Sequence, residues 1–361
     1  MAENEKLYLI DASGFIFRAF HALPPLTNPQ KVPVGAVLGF VNMLLRLLKD
    51  QNAKHLAVIF DASRENFRNA IYPEYKANRD ETPEDLIPQF PLIRDATRAF
   101  SIPCLEEEGL EADDIIACYA KAALEQGWKV TIVSSDKDLM QLIEPPAERH
   151  GGLDMLDTMN DRRIDRDYVI EKFGVPPEQL GEVLALMGDS VDNVPGVPGV
   201  GPKTASLLIQ QYGDVEGVLA HLDEIKKPKL RQNLAEHAEA ARLSRKLVEL
   251  ICDAPLPEPL EALAMKGVPK EPLQEFLEEQ GFRTLLARLG AQSQAAAPAA
   301  AGAPGAMPSQ AEVRPEPKID RSLYETVADE AALDRWIEAI RAAGRVAIDT
   351  ETDGRDCVTA R

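Results

Sequence analysis

The chain has 361 residues, 45% hydrophobic and 27% charged, with a formal net charge of −19; at roughly 150 residues per domain that suits two to three domains with real cores and excludes a disordered polymer. It contains no run of 18 apolar residues to span a bilayer, its opening MAENEKLY carries no basic-then-apolar address, and its four cysteines stand singly. A cytoplasmic protein is expected, with reduced thiols, no thiolate zinc site and no membrane partner.

In chain order, KLYLI (6–10) is a short apolar, β-favouring run, followed by a helical spacing of apolar residues from Gly35 to Lys49. HLAVIF (55–60) and the β-branched WKVTIVSS (128–135) read as further buried strands, the second preceded by an amphipathic helix over 112–126. Strand-helix-strand order predicts an α/β fold with a parallel sheet. Beyond Asp167 the pattern is helical to about Gly290, and residues 291–317 form an Ala/Pro/Gly-rich linker with almost nothing to bury. Residues 318–361 hold a helix candidate, Glu330 to Ala343, and one strand, RVAIDTE, the opening of a further domain. The expected divisions are therefore 1–166, 167–290, 291–317 and 318–361.

Three strand candidates run into acid: Asp11 after LYLI, Asp61 after LAVIF, and Asp136 with Asp138 after VTIVSS. Open α/β sheets place ligands at the carboxyl ends of their strands. One such aspartate alone reads equally well as a helix N-cap, but three independent occurrences favour a shared site. GLEADDIIA adds Glu111, Asp113 and Asp114 at a helix start, where acids are favoured by the dipole in any case. LMGDSVDNVPG adds Asp189 and Asp192, three apart and so expected on one face of a helical turn. Nine like charges brought together without counterions would cost far more than a net stability of ~5–15 kcal/mol. All-oxygen ligation then suits Mg²⁺ or Mn²⁺, and the surplus of carboxylates suggests a pair about 3.5–4 Å apart, an arrangement suited to phosphodiester hydrolysis.

Two segments point to nucleic acid as the source of the phosphate. In GVPGVGPKTASLLIQQYG, Gly199 and Gly201 form a tight hairpin into a helix starting near Lys203, able to hold a phosphate without reading bases. In ENFRNAIYPEYKANRDE, Arg68, Tyr72, Tyr75 and Arg79 would form one helical stripe for backbone contact and base stacking. Pro73 interrupts that helix, so the segment is expected to be mobile when free and to order on substrate. Lys76 would neutralise charge at the scissile phosphate, and Arg18 is a weaker cation of the same kind. Each segment also has an ordinary reading, as a loop-to-helix entry or an amphipathic surface helix.

The motifs LIDASGFIFRAFHA, FDASRENFRNAIYPEYKANR, GLEADDIIA, VSSDKDLMQL and LALMGDSVDNVPGVPGVGPKTA resemble, in order and spacing, the 5′ nuclease domain carried by bacterial DNA polymerase I, within the flap endonuclease family, across about residues 5–290. The resemblance implies a PIN-like core with helices on both faces, two Mg²⁺ ions, a helical arch, and a helix-three-turn-helix that grips duplex DNA and often holds K⁺. By that analogy Asp11, Asp61, Glu111 and Asp113 serve the first metal and Asp136, Asp138 and Asp192 the second, with Asp113 bridging and Asp114 and Asp189 acting through water. Arg68, Lys76 and Arg79 match the basic arch residues, so Lys76, Arg68, Asp11 and Asp136 are expected at the chemistry. The implied reaction is hydrolysis at 5′ ends and flaps of DNA, RNA primers included, in replication and repair, by a monomer. RVAIDTETDG resembles the first motif of an adjoining 3′-5′ proofreading domain, with Asp349 and Glu351 at the two metal positions. Since its further motifs are not present, neither proofreading nor synthesis is expected of this chain. A non-cleaving structure-specific DNA-binding module and a PIN-type ribonuclease are the alternatives.

Overall fold

The computed structural model describes residues 5–51, 53–158, 160–295 and 329–343. The chain divides into two compact units between Ala297 and Pro298. The first is organised by a six-stranded sheet of β1 (Lys6–Asp11), β2 (His55–Ile59), β3 (Cys104–Leu105), β4 (Lys129–Val133), β5 (Leu153–Asp157) and β6 (Arg162–Ile164), in the order β3-β2-β1-β4-β5-β6. All neighbours are parallel except β6, which runs antiparallel to β5. The three central strands are the ones the apolar runs predict. β3 has two residues, and β5 (LDMLD) and β6 (RRI) carry charge through their length, so none shows as an apolar run.

Helices cover both faces, as expected for the PIN-like core. The period of two along a strand sends alternate residues to opposite sides. Leu7 and Leu9 of β1 enter one core, with Ala57, Ile59, Val130 and Ile132, whereas Tyr8 and Ile10 enter a second with Leu56, Val58 and Val133. The second core is closed by α1 (Ala12–Ala22), α2 (Gly35–Gln51) and, beyond the short α3 (Phe67–Ile71), which contributes nothing to it, α4 (Gln89–Ala99). On the first side lie α5 (Ala112–Glu125), α6 (Arg166–Phe173), α7 (Pro177–Met187), α8 (Pro202–Tyr212), α9 (Val215–Ala220), α10 (Pro228–Glu236) and α11 (Ala238–Leu247). The chain then returns to the second side with α12 (Lys270–Glu279) and α13 (Arg283–Ala295), whose Leu273, Phe276, Leu277 and Leu285 are buried there. The helical region therefore shares one continuous apolar core with the sheet.

From β1 the chain builds outward through β2 to β3, then crosses back to lay β4 and β5 on the other side of β1. The carboxyl ends of β1 and β4 thus flank a topological switch point, where open α/β sheets leave a crevice. Three expectations differ in detail. The helix in 65–81 stops at Ile71, the break expected at Pro73, but 72–79 forms turns in place of the further helix that one stripe through Arg68, Tyr72, Tyr75 and Arg79 needs. Residues 188–194 form a turn closed by paired Asp189–Val194 backbone hydrogen bonds of 2.9 and 2.7 Å, so Asp189 and Asp192 do not lie on a helical turn. α13 continues to Ala295, past the expected linker start at Ala291.

In the second unit the described element is α14 (Glu330–Ala343), capped by Asp329, whose carboxylate accepts the Ala332 N–H at 2.8 Å. It coincides with the predicted helix. The RVAIDTE strand, with Asp349 and Glu351, lies outside the described residues, as does most of the 291–317 linker. No described helix is long and apolar enough to cross a membrane.

Candidate metal centre and its basic rim

The site is built where β1, β2 and β4 end. Register places Ile10 beside Val58 and Val133, so Asp11, Asp61 and Asp136 emerge at one edge of the sheet. Asp11 both ends β1 and caps α1, accepting the Ser13 N–H at 3.0 Å and the Ser134 hydroxyl at 2.9 Å. The N-cap reading and the shared-site reading are thus both met by one side chain. Asp61 accepts the Ala112 N–H at 2.9 Å and the Ser13 hydroxyl at 2.8 Å, which brings the N-terminus of α5, with Glu111 and Asp113, to the same edge. Two positive helix ends therefore face the acids. Asp136 accepts the Asp138 N–H at 2.9 Å, opening a 3₁₀ turn over Asp138–Leu142.

The loop after α7 completes the ring. One carboxylate oxygen from each of Asp138, Asp189 and Asp192 lies within 4.8 Å of the others, a spacing that one cation can span. Gly188 (φ 71°) and Gly196 (φ 59°) cross so closely at the loop's base that a Cβ on Gly196 would lie 2.4 Å from the Gly188 nitrogen. Only glycine fits there, and the crossing sets the direction of Asp189 and Asp192.

Burial, then repulsion from Asp136 and Asp61, pushes the Asp11 carboxyl up to about 6. Asp138 is pushed up to about 7 by burial and by Asp136, against the pull of Lys137. Asp113 is raised well above the carboxylate range by burial and by Asp136 and Asp11. These are the costs that a divalent cation removes, and the donors are carboxylate oxygens with no His or Cys, as hard ions require. The chemistry of the residues present fits divalent metal binding.

The cations sort differently from their expected roles. Arg68 does not line an arch: it is 1% exposed, and its fork grips both oxygens of Asp114 at 2.7 and 2.8 Å. Its remaining hydrogens go to Glu111 Oε2 at 3.1 Å and to the carbonyls of Leu247 and Glu249 at 2.8 and 2.6 Å. Asp114, fully buried, is consumed by this clamp and by the Glu111 and Ile251 N–H groups, so it is not placed to bind metal. Tyr75 is buried as well, donating to Glu111 Oε2 at 3.1 Å, which leaves no free ring face for a base, whereas Tyr72 keeps partial exposure. The four-residue stripe therefore does not form. Arg18 hydrogen-bonds Thr158 Oγ1 at 3.1 Å rather than any carboxylate of the cluster, and lines a separate cavity between α1 and α2 of about 370 Å³.

Lys76 and Arg79 do reach the acids. Lys76 Nζ donates to Glu111 and sits 3.8 Å from Asp192, and Arg79 pairs with Asp192. The carboxylates of Glu111 and Asp192 raise the Lys76 pKa although burial opposes them. Lys76 adopts φ 56°, a left-handed conformation costing a β-carbon residue on the order of 1 kcal/mol or more. It is held there by its N–H on the Asp192 carbonyl at 2.9 Å, flanked by Asn78 on Ser190 O (2.6 Å) and Asn193 on Glu74 O (2.7 Å). In this state the segment expected to be mobile is laced onto the 188–194 loop. Gly199 (φ 79°), Gly201 and the exposed Lys203 form the hairpin into α8, whose first turn carries no acid.

Four contributors were not singled out in the sequence. Ser13 and Ser134 orient Asp61 and Asp11, Asn66 donates to Glu111 Oε1 at 3.0 Å, and Lys137 binds Asp189 at 2.6 Å. Lys137 lies between two site acids in SDKD, and each serine lies two residues from one, so adjacency was the available signal. Asn66 had none, being 45 residues from its partner.

An acid-lined switch point in a mostly parallel sheet, joined through a shared core to helices that present a glycine hairpin, defines the α/β core of a metal-binding nuclease fold. Residues 6–174 match the family described as 5′-3′ exonuclease, N-terminal resolvase-like domain, and residues 175–271 match 5′-3′ exonuclease, C-terminal SAM fold. A 5′-3′ exonuclease of Aquifex aeolicus is 39% identical over 282 residues, 78% of this chain and 93% of that protein. The chain belongs to the 5′-3′ exonuclease family. DNA polymerase I of Rhizobium leguminosarum is 44% identical across 100% of the chain, which spans 41% of that relative's length. Among solved structures, bacteriophage T5 5′-exonuclease with divalent metal ions (zinc) bound is similar at 26% identity and a TM-score of 0.58, covering 77% of this chain and 99% of that one. The catalytic core of Rad2 in complex with DNA substrate, at 16% identity and a TM-score of 0.52 over 77% of this chain and 88% of its own, shares the fold.

Proposed function

We propose that the chain is a structure-specific 5′ nuclease that hydrolyses phosphodiester bonds at 5′ ends and 5′ flaps of DNA, RNA primers included, as a cytoplasmic monomer serving replication and repair. The observation that carries this reading is the convergence of eight carboxylates from five separate segments beside Lys76 and Arg79. Asp11, Asp61, Glu111 and Asp113 would hold one Mg²⁺ and Asp136, Asp138, Asp189 and Asp192 a second, with Mn²⁺ able to substitute. When bound, such ions lower the pKa of an attacking water and neutralise charge on the leaving oxygen. The hairpin at Gly199–Gly201 would grip duplex backbone and take a K⁺ ion.

The chain's own residues supply orientation and charge. Ser13 and Ser134 fix the Asp61 and Asp11 carboxylates, and the N-termini of α1 and α5 hold negative charge at the crevice. Lys76 and Arg79, paired with Glu111 and Asp192 in this state, become available to phosphate oxygens once cations satisfy those carboxylates. A T5 flap endonuclease variant similar to this chain (25% identity, TM-score 0.57) was solved as a pseudo-enzyme-product complex with DNA and metal ions, which supports the reading.

The test is a 5′-flap duplex labelled at both ends, incubated with Mg²⁺, Ca²⁺ or chelator. Cleavage at the flap base in Mg²⁺, with 5′-phosphate and 3′-hydroxyl products and none from Asp136→Ala, is expected. Binding without cleavage in Mg²⁺ would make the chain a DNA-binding module; cleavage of single-stranded RNA unaffected by duplex competitor would make it a ribonuclease.

A further inference from the structure

The carboxylates of the crevice are not countered evenly. Asp138, Asp189 and Asp192 each lie within ion-pair distance of a cation. Lys137 Nζ is 2.6 Å from Asp189 Oδ2 and 3.8 Å from Asp138 Oδ1, while Asp192 holds Arg79 and has Lys76 Nζ at 3.8 Å. Of the first group Glu111 is paired, with Lys76 and Arg68. Asp11, Asp61 and Asp113 have no ion pair among the described residues, and neither has Asp136. A cation entering beside Asp11 and Asp113 therefore meets bare negative charge, whereas one entering among Asp138, Asp189 and Asp192 meets charge already neutralised.

The three cations of the second group are not held alike. Lys76 and Arg79 sit in the turns of 72–79, away from the sheet. Lys137 stands between Asp136 and Asp138, just past the end of β4, and opens the 3₁₀ turn, its carbonyl accepting the Met140 N–H at 3.1 Å. Its charge thus belongs to the wall of the crevice and cannot leave with a moving segment. Nor is it needed to aim Asp189. That residue's Oδ1 accepts the Val191 N–H at 2.9 Å, and its backbone is paired with Val194 in both directions. The ammonium therefore adds charge to a geometry that other bonds already fix.

We propose that Lys137 is a resident counter-cation of the second metal position, whose fixed charge makes that position the weaker of the two and ties its filling to the arrival of a phosphate. A unit charge kept a few ångströms from a divalent ion in a half-buried site lowers its affinity by on the order of tenfold or more. An incoming phosphate brings negative charge that offsets the ammonium, so substrate and second ion favour each other's binding. The inference rests on the proposed two-metal reading and assigns to one side chain the difference between the two positions.

The experiment follows Mn²⁺ binding to the full chain, without DNA, by electron paramagnetic resonance and calorimetry, for the unsubstituted protein, Lys137→Met and Lys137→Arg. A tight and a weak class of Mn²⁺ are expected in the unsubstituted protein. Lys137→Met should tighten the weak class about tenfold and leave the tight class within about twofold. Lys137→Arg keeps the charge and should keep the weak class. A purely structural role for Lys137 predicts the opposite sign, since loosening Asp189 would weaken the second class. Melts in chelator check the fold, and Lys137→Gln takes the place of Lys137→Met if the latter melts early. A weak class that is unchanged or weakened, or both classes tightened alike, would overturn the proposal, as would two equal classes in the unsubstituted protein. If the unsubstituted protein binds no Mn²⁺ at all, the metal-centre reading itself fails, a result distinct from any shift between the variants.

Discussion

Replacing Arg68 with methionine keeps most of the side-chain volume and removes the guanidinium. Five hydrogen bonds go with it: two to Asp114, one to Glu111, and two to the carbonyls of Leu247 and Glu249. Asp114, 0% exposed, would keep only the N–H groups of Glu111 and Ile251, at 3.2 and 3.0 Å. Removing one partner of a buried pair costs about 3–5 kcal/mol, chiefly because the other charge is left in low dielectric. For a unit of nearly 300 residues this corresponds to a fall of roughly 5–8 °C in melting temperature. Arg68→Lys, which keeps charge but loses the fork, should fall between the two proteins. Adding Asp114→Asn to Arg68→Met should recover part of the loss by discharging the orphaned carboxylate. Calorimetric melts in chelator decide the matter without any contribution from bound cations. If Arg68→Met melts within 1 °C of the parent, the clamp is not what joins α3, the start of α5 and the end of α11.

Other outcomes follow from the acid cluster and its loop. Asp11 and Asp138, at about 6 and 7, retain protons in the folded state that the unfolded chain, near 3.8, has already released, so metal-free stability should fall as pH rises from about 4 through 7; melting temperatures in chelator at pH 5.5 and 8 should show this, with Mg²⁺ restoring the alkaline value, and a metal-free melt rising over that window would contradict it. Asp136 is the carboxylate that most strongly repels each of Asp11, Asp113 and Asp138, so Asp136→Asn should abolish flap cleavage yet raise metal-free stability by on the order of 1 kcal/mol. Gly196→Ala would set a Cβ 2.4 Å from backbone, displacing Asp189 and Asp192 and costing several kcal/mol in a urea titration. Hydrogen exchange at the Lys76 and Arg79 amides should quicken on adding Mg²⁺, as their side chains are released from Asp192 and Glu111; slower exchange would refute the competition between these cations and metal.

The sequence made the acids legible because the strands announce them. β1, β2 and β4 are apolar on both faces, so each stands out as a run, and an aspartate directly after such a run must lie at a strand end. Asp189 and Asp192 were legible as residues but not as geometry, since spacing of three suggests a helical turn and only the Gly188–Gly196 crossing makes it a closed loop. Arg68 shows the limit more sharply. Periodicity placed it on an exposed stripe with Tyr75, but its partners lie 46 and 179 residues away, at Asp114 and Leu247, and no local pattern reports a contact at that separation. Asp114 was misread for the same reason: its neighbour Asp113 faces the cluster and Glu111 reaches both Lys76 and Arg68, while Asp114 is taken up wholly by the clamp.

The core shared by the sheet and the α6–α11 region also has a metric consequence. Leu180, Val183 and Leu184 are sealed against the same apolar mass as Leu9 and Ile132, so the glycine turn and the acid crevice cannot swing independently. Under the proposed reading the molecule behaves as a caliper with fixed jaws: the number of nucleotides between grip and incision becomes a constant of the polypeptide, unaffected by the length of the displaced tail.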